Sequence, residues 1–124
     1  MERNIKCVFV DTRGQYNTIE EVDLAYKGIY TLYKYLNCST FTVATRKIGE
    51  STYDVYCDDE ALLKQDPVVA MASEDLSEML FGNCLILRHD DDGNVAPLTD
   101  EDVSDIMDNI RSTSRGDEVI VYTL

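Results

Sequence analysis

Asn83-Cys84-Leu85-Ile86-Leu87-Arg88-His89-Asp90-Asp91-Asp92-Gly93-Asn94-Val95-Ala96-Pro97-Leu98-Thr99-Asp100-Glu101-Asp102-Val103 is the stretch that decides the fold class. Its first part is an apolar run of strand length, read as a buried strand. Asp92-Gly93 or Gly93-Asn94 supplies a tight turn. Val95 to Leu98 returns, and Pro97, which has no N–H to give, confines that return to a sheet edge. Thr99 offers its hydroxyl as a helix N-cap, with Asp102 three residues on as the reciprocal partner. Val103, Ile106, Met107 and Ile110 then recur at helical spacing and give one apolar face. Arg115-Gly116 marks the expected end of that helix, and Glu118 to Leu124 alternates as a final strand.

The same reading extends upstream. Ile5 to Val10 is a strand, Asp11-Thr12-Arg13-Gly14 a turn, and Tyr16 to Val22 a second strand, so the chain is expected to begin with a hairpin. Residues 26–36 switch to helical period: Ile29, Leu32, Tyr33 and Leu36 share one face, Tyr26, Tyr30 and Lys34 form a neighbouring stripe, and Asn37 is the stop. Thr40 to Ile48 and Thr52 to Cys57 read as a second hairpin around Gly49-Glu50-Ser51. Ala61-Leu62-Leu63-Lys64 makes a single helical turn before Pro67. Residues 67–82 admit either strand or a short helix capped at Ser73, running to Phe81 and ended by Gly82. The economical arrangement is α+β: an antiparallel or mixed sheet of about six to seven strands, with two main helices packed on one face. All 124 residues are expected to form one domain.

The formal net charge is −13, unevenly spread. Residues 1–64 carry 8 basic and 10 acidic side chains, whereas residues 65–124 carry 3 and 14. Such a field repels DNA, RNA and anionic membranes, so a partner chosen by charge would itself be basic. Acid excess also serves plain solubility. No apolar run reaches the about 20 residues of a membrane span, and Met1-Glu2-Arg3-Asn4 is not a signal peptide.

Familiar chemistries are missing. Cys7, Cys38, Cys57 and Cys84 are too far apart for a zinc motif and are read as reduced core thiols. His89 is the only histidine, and its place beside three aspartates reads as a solvated hairpin tip. Aligning Gly93 with the sixth position of a calcium-binding loop puts Arg88 and Thr99 where the first and last carboxylates belong, so no metal or other cofactor is expected. The glycines are isolated, with no phosphate loop, and no pair of acids falls on a buried face to do acid–base work. The chain is read as a non-enzyme.

Two features remain for contact. The run from Asp90 to Asp108 has no basic residue. Glu101, Asp105 and Asp108 fall at i, i+4, i+7 on the second helix, flanked by Asp90, Asp91 and Asp92; like charges so placed repel each other mildly. Tyr26 and Tyr30 form the second, since tyrosine buries area while keeping a polar tip.

The order of several pieces resembles a family of small proteins from phages, plasmids and conjugative elements of Gram-positive bacteria, catalogued only as a domain of unknown function. The pieces are Gly28-Ile29-Tyr30-Thr31-Leu32-Tyr33-Lys34-Tyr35-Leu36, Tyr53-Asp54-Val55-Tyr56-Cys57-Asp58-Asp59-Glu60, Phe81-Gly82-Asn83-Cys84-Leu85-Ile86-Leu87, and Pro97-Leu98-Thr99-Asp100-Glu101-Asp102-Val103. Asn37-Cys38 stands where relatives often have Gly-Gly. The resemblance implies a mobile element expressed in a bacterial cytoplasm, and no active residues. With the acidic half, it leads to the expectation of an anti-defence inhibitor, anti-CRISPR or anti-restriction, whose acidic surface mimics nucleic acid in the basic groove of a host effector. Two alternatives stay open. One is a sponge for a nucleotide immune signal, with Lys6, Arg111 and Arg115 as sparse phosphate donors. The other is a regulatory or structural factor of the element.

Overall fold

The structure, a computed structural model, describes residues 3–14, 17–63, 68–73, 77–115 and 117–122, with side chains described through residue 110. Strands β1 (Arg3–Asp11) and β2 (Thr18–Tyr26) form the expected hairpin, in register from Arg3↔Tyr26 to Asp11↔Thr18. Helix α1 (Ile29–Leu36) follows, then the hairpin of β3 (Phe41–Ile48) and β4 (Ser51–Asp58), and a 3-10 turn at Ala61–Leu63. After these come β5 (Val69–Ser73), β6 (Met79–Phe81), β7 (Cys84–His89), β8 (Val95–Ala96), helix α2 (Asp100–Asn109), β9 (Ile110–Arg115) and β10 (Asp117–Tyr122).

The strands form two sheets. The larger is antiparallel throughout, in the order β2-β1-β7-β4-β3, with β8 beside β7. The smaller runs β6-β5-β10-β9, and its β5–β10 pairing is parallel. β7 is central and its residues Cys84, Leu85, Ile86 and Leu87 are all buried. An apolar run without alternation needs cover on both faces, and this sets the layers. Ile5, Cys7, Phe9, Leu85 and Leu87 point to one side, where Leu32 and Leu36 of α1 pack on them. Val8, Val10, Val55 and Ile86 point to the other, against Ile106 of α2 and Ala70, Met71 and Leu80 of the smaller sheet. The fold class is α+β as expected, but the two helices lie on opposite faces of the large sheet rather than on one.

Three element boundaries differ from the sequence expectation. Tyr26 ends β2 instead of opening α1, because Gly28 at φ 110, ψ −174 breaks the chain between them; that backbone region is essentially open to glycine alone. Asn37 does stop α1: its left-handed φ of 53 returns the N–H groups of Asn37 and Cys38 to Lys34 and Tyr33. Residues 69–73 and 79–81 are strands, not a helix from Ser73. The Ser73 hydroxyl accepts from Glu78 N–H at 3.1 Å, and Ser73 N–H donates to Glu78 O at 3.0 Å, so Ser73 closes the β5–β6 connection instead of capping a helix. Helix α2 ends at Asn109, well before Arg115, since Ile110 is already extended at φ −109, ψ 139 and pairs with Tyr122.

Cys7, Cys57 and Cys84 are buried free thiols, and Cys38 is partly buried. No helix among the described residues is long and apolar enough to cross a membrane.

Candidate functional site

The acidic end of the molecule is built by α2 and the β7–β8 turn. Thr99 caps α2 as its sequence predicts. Its hydroxyl accepts from Asp102 N–H at 3.1 Å, and the Asp102 carboxylate accepts from Thr99 N–H at 2.9 Å. Asp102 is buried, and its second task lies on β7: Arg88 donates to both its oxygens, at 2.9 and 2.7 Å. Burial pushes the Asp102 carboxyl up, but the Arg88 bonds and the Thr99 N–H outweigh it and hold the group below the ordinary aspartate range. The Arg88 guanidinium also lies 5.1 Å over the ring of Tyr53 on β4.

Asp105, expected in an exposed acidic row, turns inward. Tyr53 donates its hydroxyl to Asp105 Oδ2 at 2.8 Å, and Asn109 donates to Oδ1 at 3.1 Å. Backbone N–H of Glu50, in the β3–β4 turn, is 3.4 Å from the same oxygen. Burial first, and Asp105 second, push the Tyr53 phenol up to about 12. The row of Glu101, Asp105 and Asp108 is therefore divided: Glu101 and Asp108 are exposed, while Asp105 clips α2 to the turn at Gly49. Asp90 is likewise occupied, its Oδ1 accepting from Asp92 and Asn94 N–H, each at 2.9 Å. Asp91 and Asp92 are exposed on that turn. Sequence spacing missed one contribution. Lys6 of β1 pairs with Asp100 of α2 and also lies 3.7 Å from Glu21 of β2. The acidic surface therefore joins the first hairpin to α2.

His89 is exposed, as expected, but it belongs to a strand rather than to the turn and has a carboxylate partner. It ends β7, and its Nδ1 sits 2.6 Å from Oδ2 of Asp54. Asp54 pairs with Leu87 across β4–β7, so His89, two residues on, shares its face. The Asp54 side chain is 8% exposed and that of His89 60%. The hydrogen bond to Asp54 and that carboxylate's charge push the imidazole above its ordinary value. Thr52, Asp54, Arg88 and His89 line a small open hollow of about 90 Å³. Asp54 and Asp102 are buried, and each is tied to a basic side chain, His89 and Arg88 respectively. Burial pushes the thiol of Cys7 up to about 12 and that of Cys57 up to about 11, with Asp23 adding to the former, so neither is a ready nucleophile. Among the described residues no group of three His, Cys, Asp or Glu side chains is placed to hold a metal ion.

The tyrosine pair also separates. Tyr26 ends β2, partly buried against the α1-side core, with Arg3 5.9 Å over its ring. Tyr30 on α1 is 79% exposed. It borders a hollow of about 360 Å³ whose other walls are Ala25, Lys27, Thr31, Lys34 and Tyr35.

Comparison with curated proteins and with solved structures gives no match. A family model, the domain of unknown function DUF3846, matches residues 5–111, spanning every element from β1 through α2. The chain belongs to the DUF3846 family of domains of unknown function.

Proposed function

We propose that this protein is a non-enzymatic binding protein of a mobile element, an anti-defence inhibitor whose acidic surface occupies the basic groove of a nucleic-acid-binding host effector. The observation that carries the reading is the exposed acidic surface left after every structurally engaged carboxylate is set aside. Asp91, Asp92, Glu101 and Asp108 are exposed, and the sequence between Asp90 and Asp108 offers no basic residue. Asp102 and Asp105 serve the fold and are withdrawn from that surface. A surface of one sign draws an oppositely charged groove and speeds encounter with it. Cytoplasmic placement in a bacterial host follows from this reading.

The test is competition. Purified protein is titrated into complexes of a CRISPR or restriction effector with labelled DNA. Release of DNA that weakens from 50 to 500 mM salt is the expected result, because exposed charge pairs are screened within about 10 Å at 0.1 M salt. Binding that is indifferent to salt, or failure to displace DNA from any such effector, would sink the reading.

A further inference from the structure

β3 is the outer strand of the large sheet, and no described strand pairs with its far side. We propose that this edge is the interface of a symmetric dimer, in which β3 of one copy pairs antiparallel with β3 of a second copy and the two large sheets become one. The inference does not depend on the acidic surface having a protein partner.

Backbone groups give the first argument. β3 pairs with β4 in register over its whole length, from Phe41↔Asp58 to Ile48↔Ser51. One step before that ladder, Thr40 O accepts from Asp59 N–H at 3.2 Å. Opposed residues of an antiparallel pair alternate between bonded and non-bonded. The even-numbered residues of β3 therefore bond β4, while Phe41, Val43, Thr45 and Lys47 turn N–H and C=O outward. Thr45 O takes one bond from the Arg46 guanidinium, at 2.8 Å, and a carbonyl keeps a second lone pair for a strand. Edges that stay single are short, bulged, or interrupted by proline or charge. β3 has no proline, glycine or bulge, and its two charges, Arg46 and Lys47, stand together near one end. Thr42, Val43 and Thr45 are exposed, and such β-branched side chains suit a strand with neighbours on both sides.

Charge is the second argument, and it selects a second copy as the occupant. Two chains at −13 each repel, so they meet most easily where acid is absent. Residues 24–49 contain no aspartate or glutamate, although the chain carries 24 acids, and they include all of α1 and β3. The opposite edge of the sheet, β2, exposes Glu20, Glu21 and Asp23, which oppose a second acidic copy there. Setting Val43, 44% exposed, opposite the partner's Val43 joins outward groups to outward groups and makes a cross-strand valine pair. The same register carries the exposed Lys47 to the partner's Ser39, beside the exposed acids Asp59 and Glu60 at the far end of the β3–β4 hairpin. Each basic end meets an acidic corner, twice by symmetry, and the Arg46–Glu78 pair within each copy is left intact. Such a self-complementary twofold contact closes on itself and stops at two copies.

The experiment is sedimentation velocity of the intact protein from about 5 to 500 µM, with amide hydrogen exchange at both ends of that range. Expected is a rise to twice the chain's mass, with the N–H groups of Phe41, Val43 and Thr45 exchanging fast in dilute protein and slowly in concentrated protein. Thr45→Pro removes one outward N–H and leaves the β4 ladder its bonds. Val43→Lys sets like charges opposite each other at the twofold axis. Each should weaken dimerisation about tenfold or more, with the monomer's amide spectrum outside β3 and its neighbours unchanged. Glu21→Lys, on β2, should not weaken it. A single-chain mass across the whole range would overturn the proposal and leave β3 open to a strand of another protein. So would a dimer that neither β3 variant weakens, or a dimer without slowed exchange in β3. Growth beyond two copies would overturn it as well, as the sign of β3 pairing with β2.

Discussion

Gly49 is a position where one added methyl group would strike a carboxylate. A Cβ there would lie 2.2 Å from Asp105 Oδ1 and 2.5 Å from Asn109 Nδ2, on a backbone at φ +66. Left-handed backbone costs a non-glycine residue about 1–2 kcal/mol, and the collision adds the loss of the Tyr53–Asp105 clip. Gly49→Ala should therefore destabilise the fold by about 2–4 kcal/mol in urea denaturation; a loss below about 0.5 kcal/mol would mean that α2 does not sit against this turn. His89 gives a second test at this scale. Its folded pKa is raised by Asp54. The pair's contribution to stability is thus complete below the ordinary histidine value of about 6.5 and is lost as pH rises through the higher folded value. His89 should titrate above 6.5 by proton NMR, and Asp54→Asn should bring it back down. These residue roles differ in how far the sequence reveals them. Asp102 is legible, because its cap partner Thr99 is three positions away. Asp105 and His89 are not, since their partners Tyr53 and Asp54 are contributed by β4, and the strand register that brings them together is tertiary.

Among elements, α2 rests most on local sequence, and its start is testable. Thr99→Ala removes the hydroxyl that satisfies Asp102 N–H and should cost about 1 kcal/mol, with Thr99→Ser restoring most of it. A cost near zero would show that α2 is held by packing alone. Elements with a periodic pattern and a local stop could be read directly: the first hairpin, α1 with its Asn37 stop, the β3–β4 hairpin and β7. Those that depend on distant pairing could not. β5 is a short apolar run that suits helix or strand equally, and it is decided by its parallel neighbour β10. Ile110 continues the helical stripe of α2 yet opens β9. Ser112, Thr113 and Ser114 after it are weak helix formers, a signal that the apolar period overrode. The sidedness of the helices was in the sequence too, since Cys84 to Leu87 has no polar face and a strand of that kind needs cover on both sides.

For the whole molecule, the acid excess acts on stability and on binding with opposite signs. A net charge of −13 on a chain of this size repels itself, and added salt screens that repulsion. Ion pairs such as Lys6–Asp100 and Arg46–Glu78 involve exposed or partly exposed groups, contribute little, and are screened as well. The thermal midpoint should therefore rise between 20 and 500 mM NaCl, while affinity for a basic partner falls. Reversing Glu101 and Asp108 to lysine separates the two effects. Glu101, in the first turn of α2, is favoured by the helix dipole and is lost at some cost. Asp108 lies in the last turn, where a cation is the better residue, so its reversal offsets that cost. Repulsion across the whole surface drops at the same time. The double variant should melt at or above the parent temperature and yet lose displacement of DNA from the effector. If it instead melts well below the parent, the exposed acids hold the fold together and the surface cannot be assigned to a partner on charge. If it melts normally and still displaces DNA, the acidic end is a solubility device.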